Sequence, residues 1–125
     1  MNLLHYDGGY WPTRIESVHD EAVLTFIETH LQLEPLGARS DGYAVLSDTR
    51  IEASGAMALA NAADDRWAAL KTCDVERFGE AFRRSFDAQV AMFTHMADDG
   101  LGAVIAKHAS GTLGWKLSGA GGRVP

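Results

Sequence analysis

Cysteine is almost absent from this chain of 125 residues, which contains only Cys73. A single cysteine excludes an internal disulfide and any metal site built from several thiolates, so the fold must depend on its apolar core. The five histidines, at positions 5, 19, 30, 95 and 108, show no H-E-x-x-H or comparable spacing. The sequence therefore predicts no metal site.

Long hydrophobic runs and basic stripes are missing as well. No stretch approaches the roughly eighteen apolar residues of a membrane span, and the first ten residues lack the basic and apolar regions of a signal peptide. Lysine and arginine together number 11 against 17 aspartates and glutamates, which gives a formal net charge of -6. We therefore expect a cytoplasmic protein with neither a membrane nor a nucleic acid as its partner.

The apolar residues that are present predict a single domain over residues 1–125. The pair Asp7-Gly8 lies between short apolar and aromatic runs, which predicts a hairpin with strands at 3–6 and 9–11. Other segments have the composition or the alternation of strands: 14–18, 31–36 with Pro35 near its end, and 113–117.

Helical patterns occupy most of the remaining chain. A first helix is expected over 19–30, with Ser17 and Asp20 in a capping arrangement, and an alanine-rich one over 49–72. Asp74 can cap a long helix whose phenylalanines recur every three or four residues, and a shorter helix covers 99–109. The pattern predicts an α+β fold, in which a small antiparallel sheet is covered on one face by helices that include a long helical hairpin.

The end of the chain, LGWKLSGAGGRVP, combines an alternating segment with a glycine-rich stretch. Backbone N–H groups of glycine can approach an anion closely because no Cβ is in the way. The alternative is a flexible tail with no ligand.

This motif, together with the segments DVERFGEAFRRSF and LEPLGARSDGY, resembles the C-terminal domain of the GHMP kinases, the family of galactokinase, homoserine kinase and mevalonate kinase. The resemblance is nearest to the heptose and fucose sugar kinases, and it implies a ferredoxin-like sheet. It also implies a phosphate-neighbouring glycine loop made of Ser118, Gly119, Ala120, Gly121 and Gly122.

Two parts of such a kinase have no counterpart in this sequence. The nucleotide loop of the form P-x-x-x-G-L-G-S-S-A is missing, as are the catalytic aspartate and lysine of the N-terminal half, and residues 123–125 stand in place of the last strand. The resemblance therefore implies an acceptor-side domain, truncated before its final strand, that holds no catalytic residue. It would use ATP and magnesium for sugar or small-alcohol phosphorylation only when completed by an N-terminal kinase half.

A second reading is an autonomous module, derived from such a kinase by truncation, that binds a ligand or another copy of itself. His5, Tyr6, Tyr10 and Trp11 surround the predicted hairpin tip and could stack on a small molecule or sugar, although aromatic pairs also simply stabilise hairpins. A missing last strand would leave the edge at 113–117, with Leu113, Trp115 and Leu117 along it, unpaired. This predicts a homodimer in which the copies cover that edge or the helical surface beside it.

Overall fold

The structure of the protein is a computed structural model, which describes residues 1–36 and 49–118. Within these ranges it is an α+β fold with a two-stranded antiparallel sheet and four α-helices. The elements in chain order are β1 (Asn2–His5), β2 (Arg14–Ser17), α1 (Glu21–His30), α2 (Ala53–Lys71), α3 (Val75–Met92), a short 3-10 turn (Thr94–Met96) and α4 (Asp99–His108).

The N-terminal hairpin is present, but its second strand differs from the prediction. β1 pairs with β2 in the register Leu3 opposite Glu16 and Leu4 opposite Ile15, so residues 9–11 stay in the connecting loop. Pro12 has no N–H to donate to a ladder, and the Thr13 N–H closes the loop on the His5 carbonyl at 2.8 Å. The aspartate and glycine therefore bend a longer loop and do not form a two-residue turn.

Aspartate side chains cap three of the described helices, and two of these caps, Asp20 and Asp74, were predicted from the sequence. The Asp74 carboxylate accepts a hydrogen bond from the Arg77 N–H at 3.0 Å, and Asp98 accepts one from the Leu101 N–H at 2.7 Å. At α1 the cap is Asp20, which accepts from the Ala22 N–H. Ser17 instead ends β2, where its hydroxyl donates to the Asn2 side chain at 2.8 Å.

The long helical hairpin is confirmed, because α2 and α3 pack against each other along their lengths. The turn between them places Cys73 at a φ of 52°, and the Asp74 N–H bonds to the Ala69 carbonyl at 3.0 Å. Two buried clusters flank this hairpin. The first contains Val23, Phe26, Trp67, Ala69, Leu70 and Phe78, and the second contains Met96, Leu101 and Leu117.

The sheet has one covered face and one exposed face. Leu3 packs against the first cluster, whereas Leu4 and Ile15 on the opposite face are 48% and 55% exposed. Helices therefore cover one face of the β1–β2 sheet, as the sequence predicted.

Two segments expected to be strands are not strands. Residues 31–36 and 113–117 pair with no strand in the described part of the chain, where the sheet has two strands only. The larger ferredoxin-like sheet implied by the resemblance is therefore not formed within residues 1–36 and 49–118. The unpaired edge that predicted a dimer at 113–117 is not formed either, because this segment packs on α3 (below).

Two carboxylates connect different elements. Glu16 of β2 accepts a hydrogen bond from the Trp67 indole at 3.0 Å and lies 2.8 Å from the Arg14 guanidinium. Asp65 of α2 pairs with Arg84 and Arg77 of α3 at 2.9 and 3.2 Å. The Trp67 bond lowers the pKa of Glu16, and the bonds from Arg84 and then Arg77 lower the pKa of Asp65.

These contacts predict a pH dependence of stability. A carboxylate whose pKa is lower in the folded state than in the unfolded state stabilises the fold at pH values above its ordinary pKa, which is 4.5 for Glu16 and 3.8 for Asp65. This stabilisation is lost as the pH falls through the pKa of the folded state. In thermal melts from neutral pH to the acid range, the difference in Tm between wild type and a Glu16→Gln/Asp65→Asn double variant should shrink as the pH falls. A difference that stays constant across the range would contradict this assignment.

Candidate functional site

A groove of about 1030 Å³ lies between α3, α4 and the two segments that the sequence had assigned to strands. Phe78, Phe82 and Phe86 point into it from one face of α3, because they are spaced by one helical turn. Leu101 and Ile105 of α4 form the facing wall. The volume is that of a small-molecule site with largely apolar walls.

Polar side chains line the rim of this groove. They come from the end of α1, the 31–36 segment, α4 and the last described residues: His30, Glu34, His108, Lys116 and Ser118. The Glu34 carboxylate lies 3.7 Å from the Lys107 ammonium and 3.9 Å from His108 Nε2, which holds the 31–36 segment against the end of α4. His108 Nε2 is buried and makes no hydrogen bond with the described residues.

His30 lines the groove, and its ring is held by two contacts with Phe26. Its Nδ1 donates to the Phe26 carbonyl at 2.8 Å, and its ring packs on the Phe26 ring with centroids 4.6 Å apart. The groove thus offers two imidazole rings and a carboxylate to hydrogen-bonding groups of a bound molecule, beside phenylalanine rings that can cover an apolar face.

The segment 113–118 reaches the groove by lying directly on α3. Gly114 and Gly79 face each other so closely that a Cβ built on Gly114 would lie 2.6 Å from the Gly79 carbonyl carbon. Leu117 is buried in the second cluster, and the Arg83 guanidinium lies 5.7 Å from the centre of the Trp115 ring. A glycine in each segment, Gly79 in α3 and Gly114 near the end of the chain, allows this close backbone contact, which holds residues 113–118 on α3 without strand pairing.

Only the first residue of the predicted glycine loop falls within the described residues. Ser118 lines the groove, whereas Gly119, Ala120, Gly121 and Gly122 lie outside residues 1–36 and 49–118. The phosphate-neighbouring role of the loop therefore stays a prediction.

The four residues predicted around the hairpin tip lie in different surroundings. Tyr10 and Trp11 contact each other edge to face, with ring centroids 5.0 Å apart, and they are 86% and 76% exposed. His5 instead lies 2.9 Å from the Glu16 carboxylate, and Tyr6 is 58% exposed. The tip therefore presents an exposed aromatic pair, while His5 contacts Glu16, which in turn accepts a hydrogen bond from Trp67 of α2. Self-association stays a prediction.

Two cations near the groove were not singled out from the sequence. Arg66 of α2 lies with its guanidinium 5.1 Å from the centre of the Phe82 ring, and Lys116 lies in the groove lining. Burial lowers the pKa of both groups, and the positive charge of Arg66 lowers the pKa of Lys116 further. Lys116 could have been noticed from its place two residues before Ser118, whereas nothing in the helical pattern distinguishes Arg66.

The described residues bring together no group of three or more histidine, cysteine, aspartate or glutamate side chains that could hold a metal ion. None of the described helices is long and apolar enough to cross a membrane. Comparisons with protein-family models, with curated proteins and with solved structures gave no match to this chain. The case for a function therefore depends on the groove.

Proposed function

We propose that this chain is the acceptor-side domain of a GHMP-type small-molecule or sugar kinase, which binds its ligand in the groove and does not catalyse phosphoryl transfer alone. The observation that carries the proposal is the course of residues 113–118. This segment lies on α3 and brings Ser118, the start of the motif that resembles the family's glycine loop, to the rim of a ligand-sized groove.

The groove has the mixture of surfaces that suits a sugar or a small alcohol. Ring faces of Phe82 and Phe86 can pack against C–H groups, while His30, His108 and Glu34 can exchange hydrogen bonds with hydroxyls. A helical hairpin and a short helix precede the motif in the order that the resemblance requires. The order of these helices supports the proposal, whereas the two-stranded sheet of the described residues is not the sheet of the specific family fold.

The chain lacks the residues that hold a nucleotide in the family, and phosphoryl transfer depends mainly on positioning the phosphates and the metal ion. Transfer would therefore require a second polypeptide or domain that carries the nucleotide loop. The autonomous-module alternative differs because it needs no such half for its full function.

A titration of the isolated chain tests this proposal. We expect neutral sugars and polyols to bind with a Kd of about 1 mM or weaker, and to shift NMR signals of groove residues such as Ile105. ATP with magnesium should bind no more tightly than tripolyphosphate, because the proposed acceptor-side domain has no site for the adenine ring. A Phe86→Ala variant should weaken sugar binding, whereas Leu24→Ala on the exposed side of α1 should not.

Two results would contradict the proposal. Micromolar affinity for ATP would mean that the chain holds its own nucleotide site. Sugar-induced shifts confined to Tyr10 and Trp11 would move the ligand to the hairpin tip and favour the autonomous module.

A further inference from the structure

The exposed face of the β1–β2 sheet is apolar, which is the reverse of the usual arrangement. An antiparallel sheet with one face in water normally places polar side chains on that face. Here Leu4 and Ile15 lie opposite each other on the exposed face. The titratable side chains of the two strands alternate onto the covered face, where they contact one another: His5, Arg14 and Glu16. The two strands therefore turn no charged side chain to the exposed face.

The register of the hairpin brings the two apolar side chains of this face together. Met1 and Val18 exchange two backbone hydrogen bonds, of 3.1 and 3.0 Å. Hydrogen-bonded and non-hydrogen-bonded pairs alternate along an antiparallel ladder, so Leu4 and Ile15, three pairs further on, form a non-hydrogen-bonded pair. Side chains approach most closely in such pairs, and these two therefore form one continuous apolar patch.

Three exposed aromatic rings extend this patch at the closed end of the hairpin. Tyr6 follows β1, and Tyr10 and Trp11 contact each other edge to face in the loop. We call these three residues, with Leu4 and Ile15, the outer hairpin surface. An aromatic side chain has about 150–250 Å² to bury, so this surface offers on the order of 600 Å² per copy. Two copies that covered it would bury about 1,200 Å² in total, which is the lower limit of stable specific interfaces.

A second copy of this chain fits the outer hairpin surface better than a lipid does. Two copies that each carry a net charge of -6 repel each other, but at this face the strands contribute no charge to oppose contact. A lipid surface of anionic composition attracts lysine and arginine, and the strands place neither on this face. Two sheets can instead pack face to face about 10 Å apart, with their apolar side chains interdigitated.

We propose that the outer hairpin surface is a homodimer interface, in which the β1–β2 sheets of two copies pack face to face around a two-fold axis. Leu4 and Ile15 form the centre of this interface, and the aromatic rings of the loop form its rim. The proposal does not rest on the proposed function, because no residue of the hairpin is among the described residues that line the groove.

Sedimentation velocity of the full chain, from about 1 to 200 μM, tests the interface. Wild type should form a dimer with a Kd of about 1–100 μM, as suits a small contact area. Ile15→Lys should weaken the dimer by about tenfold or more, because the two-fold axis places both new ammonium groups in one apolar contact. Met57→Lys makes the same change of charge at an exposed apolar residue of α2, and it should leave the Kd within about twofold of wild type.

Two further measurements separate association from folding. In thermal melts below the Kd, the Tm of Ile15→Lys should stay close to that of wild type, because the side chain is exposed in the free chain. If the lysine prevents folding, Ile15→Thr keeps a β-branched residue in the strand and should still weaken the dimer. In NMR spectra, the methyl signals of Leu4 and Ile15 should move with protein concentration, whereas those of Ile105 in the groove should not.

Four results would overturn the interface. The first is a wild-type chain that stays monomeric at about 200 μM, and the second is equal weakening by Ile15→Lys and Met57→Lys. The third is a dimer that survives Ile15→Lys but dissociates in Trp115→Lys, which would place the contact at 113–117. The fourth is a monomer whose Trp11 fluorescence shifts to the blue with phosphatidylcholine vesicles, which would assign the outer hairpin surface to a membrane.

Discussion

Phe78→Ala should lower the free energy of unfolding by about 3–5 kcal/mol, which is the usual cost of removing a fully packed phenylalanine. Phe78 is 5% exposed, and its ring meets the Phe26 ring edge to face at 5.5 Å and the Phe82 ring at 4.9 Å. The truncation would leave a cavity where α1, α2 and α3 converge, and helices on three sides cannot close it easily. Urea denaturation followed by circular dichroism measures the change.

Two controls sharpen this prediction. Leu33→Ala, at a site 83% exposed, should change stability by less than about 0.5 kcal/mol. Phe82→Ala should cost less than Phe78→Ala, because Phe82 is only partly buried whereas Phe78 is 5% exposed. A loss below about 1 kcal/mol for Phe78→Ala would place the buried face of α3 elsewhere.

Gly114→Ala should lower the free energy of unfolding by about 3 kcal/mol or more, which is at or above the upper end of the range typical of overpacking. The added Cβ would lie 2.6 Å from the carbonyl carbon and 3.0 Å from the Cα of Gly79, and both are backbone atoms that cannot rotate away. The segment would have to leave α3, which would draw Leu117 out of its cluster and displace Ser118. Urea denaturation should therefore show the loss of stability, and the sugar titration should show weaker binding in the groove.

Gly102→Ala is the matched control for this change. Gly102 is an exposed position in α4, and a Cβ there meets nothing within 4 Å. Alanine should raise stability by about 0.5–1 kcal/mol through its helix propensity. Similar behaviour of the two variants would contradict the close contact between Gly114 and Gly79.

Local chemistry explains the parts that the sequence predicted correctly. Helices α2, α3 and α4 were expected at 49–72, after Asp74 and at 99–109, and they occur at Ala53–Lys71, Val75–Met92 and Asp99–His108. Alanine content, apolar spacing and an aspartate cap are all properties of neighbouring residues, so they can be read without the fold.

Only the tertiary structure decided whether the two alternating segments form strands. An alternating pattern fits a strand, but a strand also needs a partner edge, and residues 31–36 and 113–117 find helices beside them instead. The contact of Gly114 with Gly79 joins positions 35 residues apart, which no local pattern could indicate.

The candidate site divides in the same way. The sequence by itself determined that Ser118 begins a glycine-rich stretch and that α3 carries a row of phenylalanines, because both depend on neighbouring residues. The tertiary structure alone decided that Ser118 reaches the rim of a groove lined by that row, and that the Arg66 guanidinium lies over the Phe82 ring. Both contacts depend on how α2, α3 and the last segment pack against one another, so no pattern of neighbouring residues could indicate them.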